Sequence, residues 1–169
     1  NKPFFLSLQF TAPHWPWQGP TDAALPDSIP MSAKLMQSMG TKDVYKAMMQ
    51  SLDEQVGRIL KTLDETGLAA NTIVIFTSDN GGEKFSDMGP YAKMKMTVWE
   101  GGVRVPAFVR WPGKIKANTV SQQQVNTMDW TATILAAAGT KANEKYTTDG
   151  MNLLPVLTSN QQVLPRTFY

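Results

Sequence analysis

Four side chains in three separated stretches hold the chemistry that this sequence can offer. Asp79 and Asn80 stand together in Thr77-Ser78-Asp79-Asn80-Gly81-Gly82, directly after the apolar run Ile73-Val74-Ile75-Phe76. A carboxylate and an amide carbonyl are hard oxygen donors, the kind that Ca²⁺ and Mg²⁺ take. The two glycines after them let the backbone turn tightly and come close to a bound group. Read alone, the hexapeptide is also an ordinary Asp/Asn-Gly turn. His14, the single histidine, lies in Ala12-Pro13-His14-Trp15-Pro16-Trp17. Lys95 stands five residues before Glu100-Gly101-Gly102. A divalent cation beside a lysine and a histidine makes a site for a tetrahedral oxyanion. The metal is a Lewis acid, the ammonium a point charge, and the imidazole a proton donor to the leaving oxygen. Each residue also has a plainer role open to it. His14 can be a packed loop residue, Lys95 a solvated lysine beside Lys93, residues 100–102 a turn, and Arg104 the partner of a nearby acid.

These residues need elements to position them. Residues 4–10, aromatic and aliphatic after Pro3, predict a strand. The loop that follows, to about residue 30, is dense in Pro, Trp and Gly and excludes regular structure. Over 43–66, Val44, Met48, Leu52, Val56, Ile59, Leu60 and Leu63 recur at spacings of three and four. They mark one face of an amphipathic helix that starts at Thr41 or Lys42 and stops at Gly67, with Met48-Met49 as core filler. A strand over 72–77 comes next, and its continuous apolar run fits burial on both faces of a parallel sheet. Helix followed by strand favours an α/β architecture. Residues 83–98 are polar and irregular, broken at Gly89-Pro90. The spacing then predicts a strand over 103–111, a short strand over 120–125, and a helix over 127–138 capped by Asn126 or Thr127 and ended by Gly139. Residues 140–169 read as loop and extended chain. If the first two strands are parallel neighbours, His14 and the Asp79-Asn80 pair share one carboxyl edge, where open α/β sheets bind ligands.

Composition narrows the classes of function. A chain of 169 residues has the size of one ordinary domain, and 42% hydrophobic with 18% charged residues is a globular mixture. Sixteen basic and fourteen acidic residues leave a net charge of +2 with no block of one sign, which speaks against nucleic-acid binding. No apolar run approaches the roughly 18 residues of a membrane span. The absence of cysteine excludes disulfides, thiolate metal sites and cysteine nucleophiles in this stretch. No Gly-rich phosphate loop follows a strand, so an unrelated nucleotide-binding module fits poorly. The abrupt opening on an apolar strand, without Met, reads as a piece of something longer.

Read in order, the segments resemble the sulfatases of the alkaline-phosphatase-like superfamily. Ala12-Pro13-His14-Trp15-Pro16 resembles their histidine loop, and Thr77-Ser78-Asp79-Asn80-Gly81-Gly82 their second pair of metal ligands. Lys95 with Glu100-Gly101-Gly102-Val103-Arg104-Val105-Pro106 resembles their lysine and the Glu-Gly-Gly-Val/Ile-Arg-x-Pro signature after it. Trp111-Pro112-Gly113-Lys114-Ile115, the stretch 128–135 and the stretch 149–155 also fit. The resemblance implies a partial three-layer α/β/α sandwich with a mostly parallel sheet. Residues 1–169 would be the middle-to-late part of one catalytic domain, without the N-terminal nucleophile region or the C-terminal subdomain.

The resemblance further makes Asp79 and Asn80 ligands of Ca²⁺ (or Mg²⁺), and His14 and Lys95 sulfate contacts, one of them assisting departure of the alcohol. It implies a formylglycine nucleophile upstream, export to periplasm or medium, and a sulfated small molecule or glycan as substrate. Three departures stand out. There is no Cys/Ser-x-Pro-x-Arg motif, no N-terminal pair of acidic metal ligands, and Met96 stands where the family often has Gly, which lets Lys93 compete with Lys95. Two ligand residues fall short of the six to eight oxygens that Ca²⁺ takes. The chain alone is therefore expected to be inactive, and to self-associate through exposed strands at 4–10 or 73–76. Trp15 and Trp17 either line a substrate pocket or pack against the sheet. The rival readings are a phosphodiesterase or phosphonate hydrolase of the same superfamily, and a decayed binding domain without chemistry.

Overall fold

The computed structural model describes residues 2–24, 32, 39–159 and 164–167. They fall into two units: Asn1–Gly67 with Asn80–Val105, and Leu68–Asp79 with Pro106–Tyr169. Helix and strand are both present, and the fold is α/β.

The first unit is built on α1 (Lys42–Glu65). Thr41 is its N-cap, with Oγ1 accepting the Val44 N–H at 3.2 Å, and Gly67 follows its end at a φ of +71° that favours glycine. Met48 and Leu52 are buried on the face that the spacing marks, while Met49 is exposed and fills no core. The other part of this unit, 80–105, is irregular apart from the single helical turn α2 (Glu100–Val103). The strand expected from residue 103 therefore begins later, because the two glycines before it are wound into that turn.

The second unit pairs β1 (Val74–Thr77) with β2 (Ala107–Arg110). The pair is antiparallel, with Val74 opposite Arg110 and Thr77 opposite Ala107. The expectation of a mostly parallel sheet is not met among the described residues. A parallel pair needs a crossover that carries the chain back to the opposite end. Here residues 78–106 bring it back beside Thr77, whose Oγ1 donates to the Pro106 carbonyl at 3.2 Å. The apolar run of β1 is also not doubly buried: cross-strand Phe76 and Phe108 stay 37% and 63% exposed.

The hub of this unit is α3 (Thr127–Ala137). Asn126 caps it, and Asp129 completes a capping box by accepting the Asn126 N–H at 2.7 Å. Asp129 is fully buried, and it also accepts the Met151 N–H at 2.7 Å and the guanidinium of Arg166. Thr133, equally buried, accepts the Leu153 N–H at 2.9 Å, which seats the core residue Leu153 at the start of α4 (Leu154–Thr158). Residues 120–125 form no strand. Gln123 instead clasps the Leu164 backbone with its side-chain amide, accepting at 2.8 Å and donating at 3.3 Å.

Residues 4–10 also form no strand, contrary to their pattern. Apolar composition supplies propensity, but a strand needs a neighbour to complete its hydrogen-bond ladder. No described residue pairs with this run, and Phe4, Phe5 and Leu6 are 59%, 73% and 64% exposed. No helix among the described residues is long and apolar enough to cross a membrane.

Candidate active site

Two Gly-Gly pairs explain how stretches far apart in sequence come to share one place in the first unit. The Gly81 N–H donates to the Gly102 carbonyl at 2.8 Å, and the Gly101 N–H to the Ala92 carbonyl at 3.0 Å. The Lys95 N–H donates to the Gly82 carbonyl at 2.8 Å. Backbone lies directly on backbone. A Cβ on Gly81 would sit 2.0 Å from the Gly101 oxygen, one on Gly101 2.1 Å from the Lys93 oxygen, and one on Gly102 2.2 Å from the Thr97 oxygen. Such separations are far inside contact distance, so only glycine lets the segments interlock. The glycines that look like flexible turns are close-approach positions.

The lock fixes Lys95. Its side chain is 19% exposed and lies 3.8 Å from the Glu83 carboxylate, itself 22% exposed. Lys93, the competing lysine, is exposed. Met96, where the resemblance favours glycine, takes a φ of +72° and leaves its side chain 91% in solvent. Arg104 pairs with Glu100 at 2.9 Å and lies 4.7 Å over the Tyr91 ring, so the acid that the sequence left unnamed is four residues before it. That bond holds the guanidinium charged, above its ordinary range.

Asn80 opens the interlocked segment. Its Nδ2 donates to the Gly81 carbonyl at 2.9 Å, and the other end of the amide is an oxygen, the donor type that a hard cation takes. Asp79, its covalent neighbour, belongs to the second unit, just past the end of β1. Its carboxylate is exposed, with the Ser78 hydroxyl 3.5 Å from Oδ1. Carboxylate and amide oxygens, neighbours in sequence here, are donor types that Ca²⁺ and Mg²⁺ take. No group of three His, Cys, Asp or Glu is gathered for a metal among the described residues.

His14 sits in a tight turn, its N–H donating to the Thr11 carbonyl at 2.8 Å. Its Nδ1 is 2.6 Å from the Trp15 carbonyl, which can only accept, so Nδ1 carries the hydrogen in this contact. Trp17 anchors this loop from below. It is 5% exposed, donates Nε1–H to the Pro13 carbonyl at 3.1 Å, and meets Phe85 edge-on at 4.7 Å. Phe85 touches Tyr45 of α1 at 6.1 Å, and the Tyr45 hydroxyl bonds Ser86 Oγ at 2.8 Å. The histidine loop, the helix and residues 83–86 thus meet at one aromatic cluster. Trp17 packs there rather than lining a pocket. This cluster was not legible in the sequence, since Phe85 stands in a polar stretch.

A family profile described as Sulfatase matches residues 1–140. The chain belongs to the sulfatase family. Over its full length it is 38% identical to the N-acetylgalactosamine-6-sulfatase of Mus musculus, of which it covers 31%. Among solved structures, that of Ps i-CgsB in complex with k-i-k-neocarrahexaose superposes with a TM-score of 0.70 at 30% identity, over 86% of this chain and 31% of that one. The structure of BT4656 in complex with its substrate D-glucosamine-2-N,6-O-disulfate gives 0.59 at 27% identity, over 73% and 25%. This sulfatase chain thus spans about a third of the length of the relatives it matches.

Proposed function

We propose that the protein containing this chain hydrolyses sulfate esters. Asp79 and Asn80 contribute to a site for Ca²⁺ or Mg²⁺, and His14 and Lys95 contact the sulfate group. One observation carries the reading: the family match runs over residues 1–140 and takes in all four positions. The metal, when bound, supplies Lewis-acid polarisation of sulfate oxygens. The chain's own residues then divide the work. Lys95, held by its backbone on the Gly82 carbonyl, brings a positive charge to the glycine-locked loop. His14, with Nδ1–H committed to a carbonyl, gives a proton from Nε2 to the departing alcohol oxygen when the ring is the imidazolium, and is left as the neutral Nδ1–H form. The nucleophile, a formylglycine, lies in a part of the protein outside these residues, as do the remaining metal ligands and the rest of a three-layer sandwich. The 169-residue chain by itself is accordingly inactive.

A sulfated glycan is the substrate class we favour. Support comes from the relatives, one called an N-acetylgalactosamine-6-sulfatase and another bound to a disulfated glucosamine. Self-association of the isolated chain follows from the exposed 4–10 run.

The test is hydrolysis of 4-nitrophenyl sulfate and of sulfated disaccharides by the full-length protein. Chelation should abolish turnover and Ca²⁺ restore it. Lys95→Ala and Asp79→Ala should each lower kcat/KM on the order of 100-fold. Efficient turnover of phosphate diesters or phosphonates with none of sulfate esters would move the assignment to the rival hydrolases. Full activity in Asp79→Ala would remove that residue from the metal site.

A further inference from the structure

We propose that Glu83 is a positioning residue for Lys95, holding the ammonium beside the Glu83 carboxylate before substrate arrives; this rests on the role given to Lys95 above. The motif that carries Asp79 and Asn80 ends at Gly82, and Glu83 is the residue directly after it.

Two anchors act on the lysine at once. Its backbone N–H is bonded to Gly82, and its Nζ lies 3.8 Å from the carboxylate of Glu83, the next residue along. A four-carbon stem is thereby held at both ends. Glu83 is itself immobilised. Its N–H donates to Ser86 Oγ at 3.2 Å, and its carbonyl accepts the Ser86 N–H at 2.8 Å. Ser86 Oγ is bonded to Tyr45 of α1, and a Cβ on Gly82 would sit 2.3 Å from the Ser86 Cβ. The backbone that carries the carboxylate is therefore a fixture of the helix-anchored turn.

Exposed ion pairs do little, because water screens them and long side chains resist ordering. This pair differs, since both side chains are about four-fifths withdrawn from water. The separation also matters. At 3.8 Å the carboxylate oxygen attracts the ammonium at a separation longer than a hydrogen bond, so this contact does not itself consume an N–H donor. A lysine ordered in advance contributes more to a transition state than one that must be ordered during the reaction. The cost of the arrangement is a negative charge near an anion site, so Glu83 fits positioning through Lys95 and not contact with the substrate.

The experiment is a double-mutant cycle in the full-length protein, with 4-nitrophenyl sulfate as probe. Glu83→Ala should lower kcat/KM about tenfold in the wild-type background and less than about twofold in the Lys95→Ala background. Glu83→Gln, which keeps an acceptor oxygen of the same reach, should recover part of the loss. Equal losses in both backgrounds would overturn the proposal, since a merely structural role does not need the lysine. If Lys95→Ala is impaired and Glu83→Ala is not, the inference fails while the functional reading stands. If Lys95→Ala has no effect, the role given to Lys95 fails and this inference with it, while hydrolysis of sulfate esters stands. Crystal structures of the wild type and Glu83→Ala decide the matter without activity: Nζ displaced from its wild-type position supports the proposal, and Nζ unmoved refutes it.

Discussion

Replacing Asp129 by asparagine exchanges one oxygen for NH₂ at the centre of a three-bond network. Oδ1 accepts the Met151 N–H at 2.7 Å, while Oδ2 accepts both the Asn126 N–H at 2.7 Å and the Arg166 guanidinium. An asparagine has one acceptor oxygen and one NH₂. If the oxygen stays on Met151, the amide NH₂ faces two donors; if it flips, the NH₂ faces the Met151 N–H. Either orientation sets donor against donor at a fully buried position, and Arg166, 16% exposed, loses its carboxylate. Removing one partner of a buried, hydrogen-bonded pair costs about 3–5 kcal/mol, and the lower end suits a guanidinium with some water access. Asp129→Asn should therefore destabilise by about 3 kcal/mol, read from urea unfolding followed by tryptophan fluorescence.

The penalty should also depend on pH. Burial pushes the Asp129 carboxyl up, but the Arg166 bond and the Asn126 and Met151 N–H groups outweigh it and hold the acid below its ordinary 3.8. A folded value below the unfolded one means stability that is fully present above about 3.8 and lost as pH falls through the folded value. The gap between wild type and Asp129→Asn should narrow below pH 4 or so. A loss under about 0.5 kcal/mol at neutral pH, with an unchanged denaturant slope, would refute the network's role as the tie between α3, the 150 turn and the 164–167 segment.

The glycines yield an opposed pair of predictions by the same unfolding assay. Gly101→Ala should destabilise by about 2–3 kcal/mol or abolish folding of the 80–105 region, because its Cβ meets the Lys93 oxygen at 2.1 Å. Gly57→Ala, inside α1 with nothing within 4 Å, should stabilise by about 0.5–1 kcal/mol. Trp17→Ala should cost about 3–5 kcal/mol and raise amide exchange across 11–18, since the ring is the buried anchor of that loop. Unchanged exchange there would show that the turn holds His14 without it.

Much of this protein was legible one residue at a time. The three-and-four spacing marked α1, Thr41 and Gly67 bounded it, and Asn126 with Gly139 bounded α3, because helix ends are settled by local hydrogen bonds and by backbone torsions. The four site positions came from motifs read in chain order. What sequence could not give was pairing. Apolar runs at 4–10 and 73–76 advertise strands, yet only the second found a neighbour among the described residues, and that neighbour runs antiparallel. Strand direction and register depend on where distant chain returns, which no local pattern encodes. Nor could spacing show that the Gly-Gly pairs are contact points between backbones, that Phe85 binds the histidine loop to α1, or that Lys95 faces Glu83. Those facts arise when segments far apart along the chain press together, and steric exclusion and charge then choose which of two plausible lysines is held.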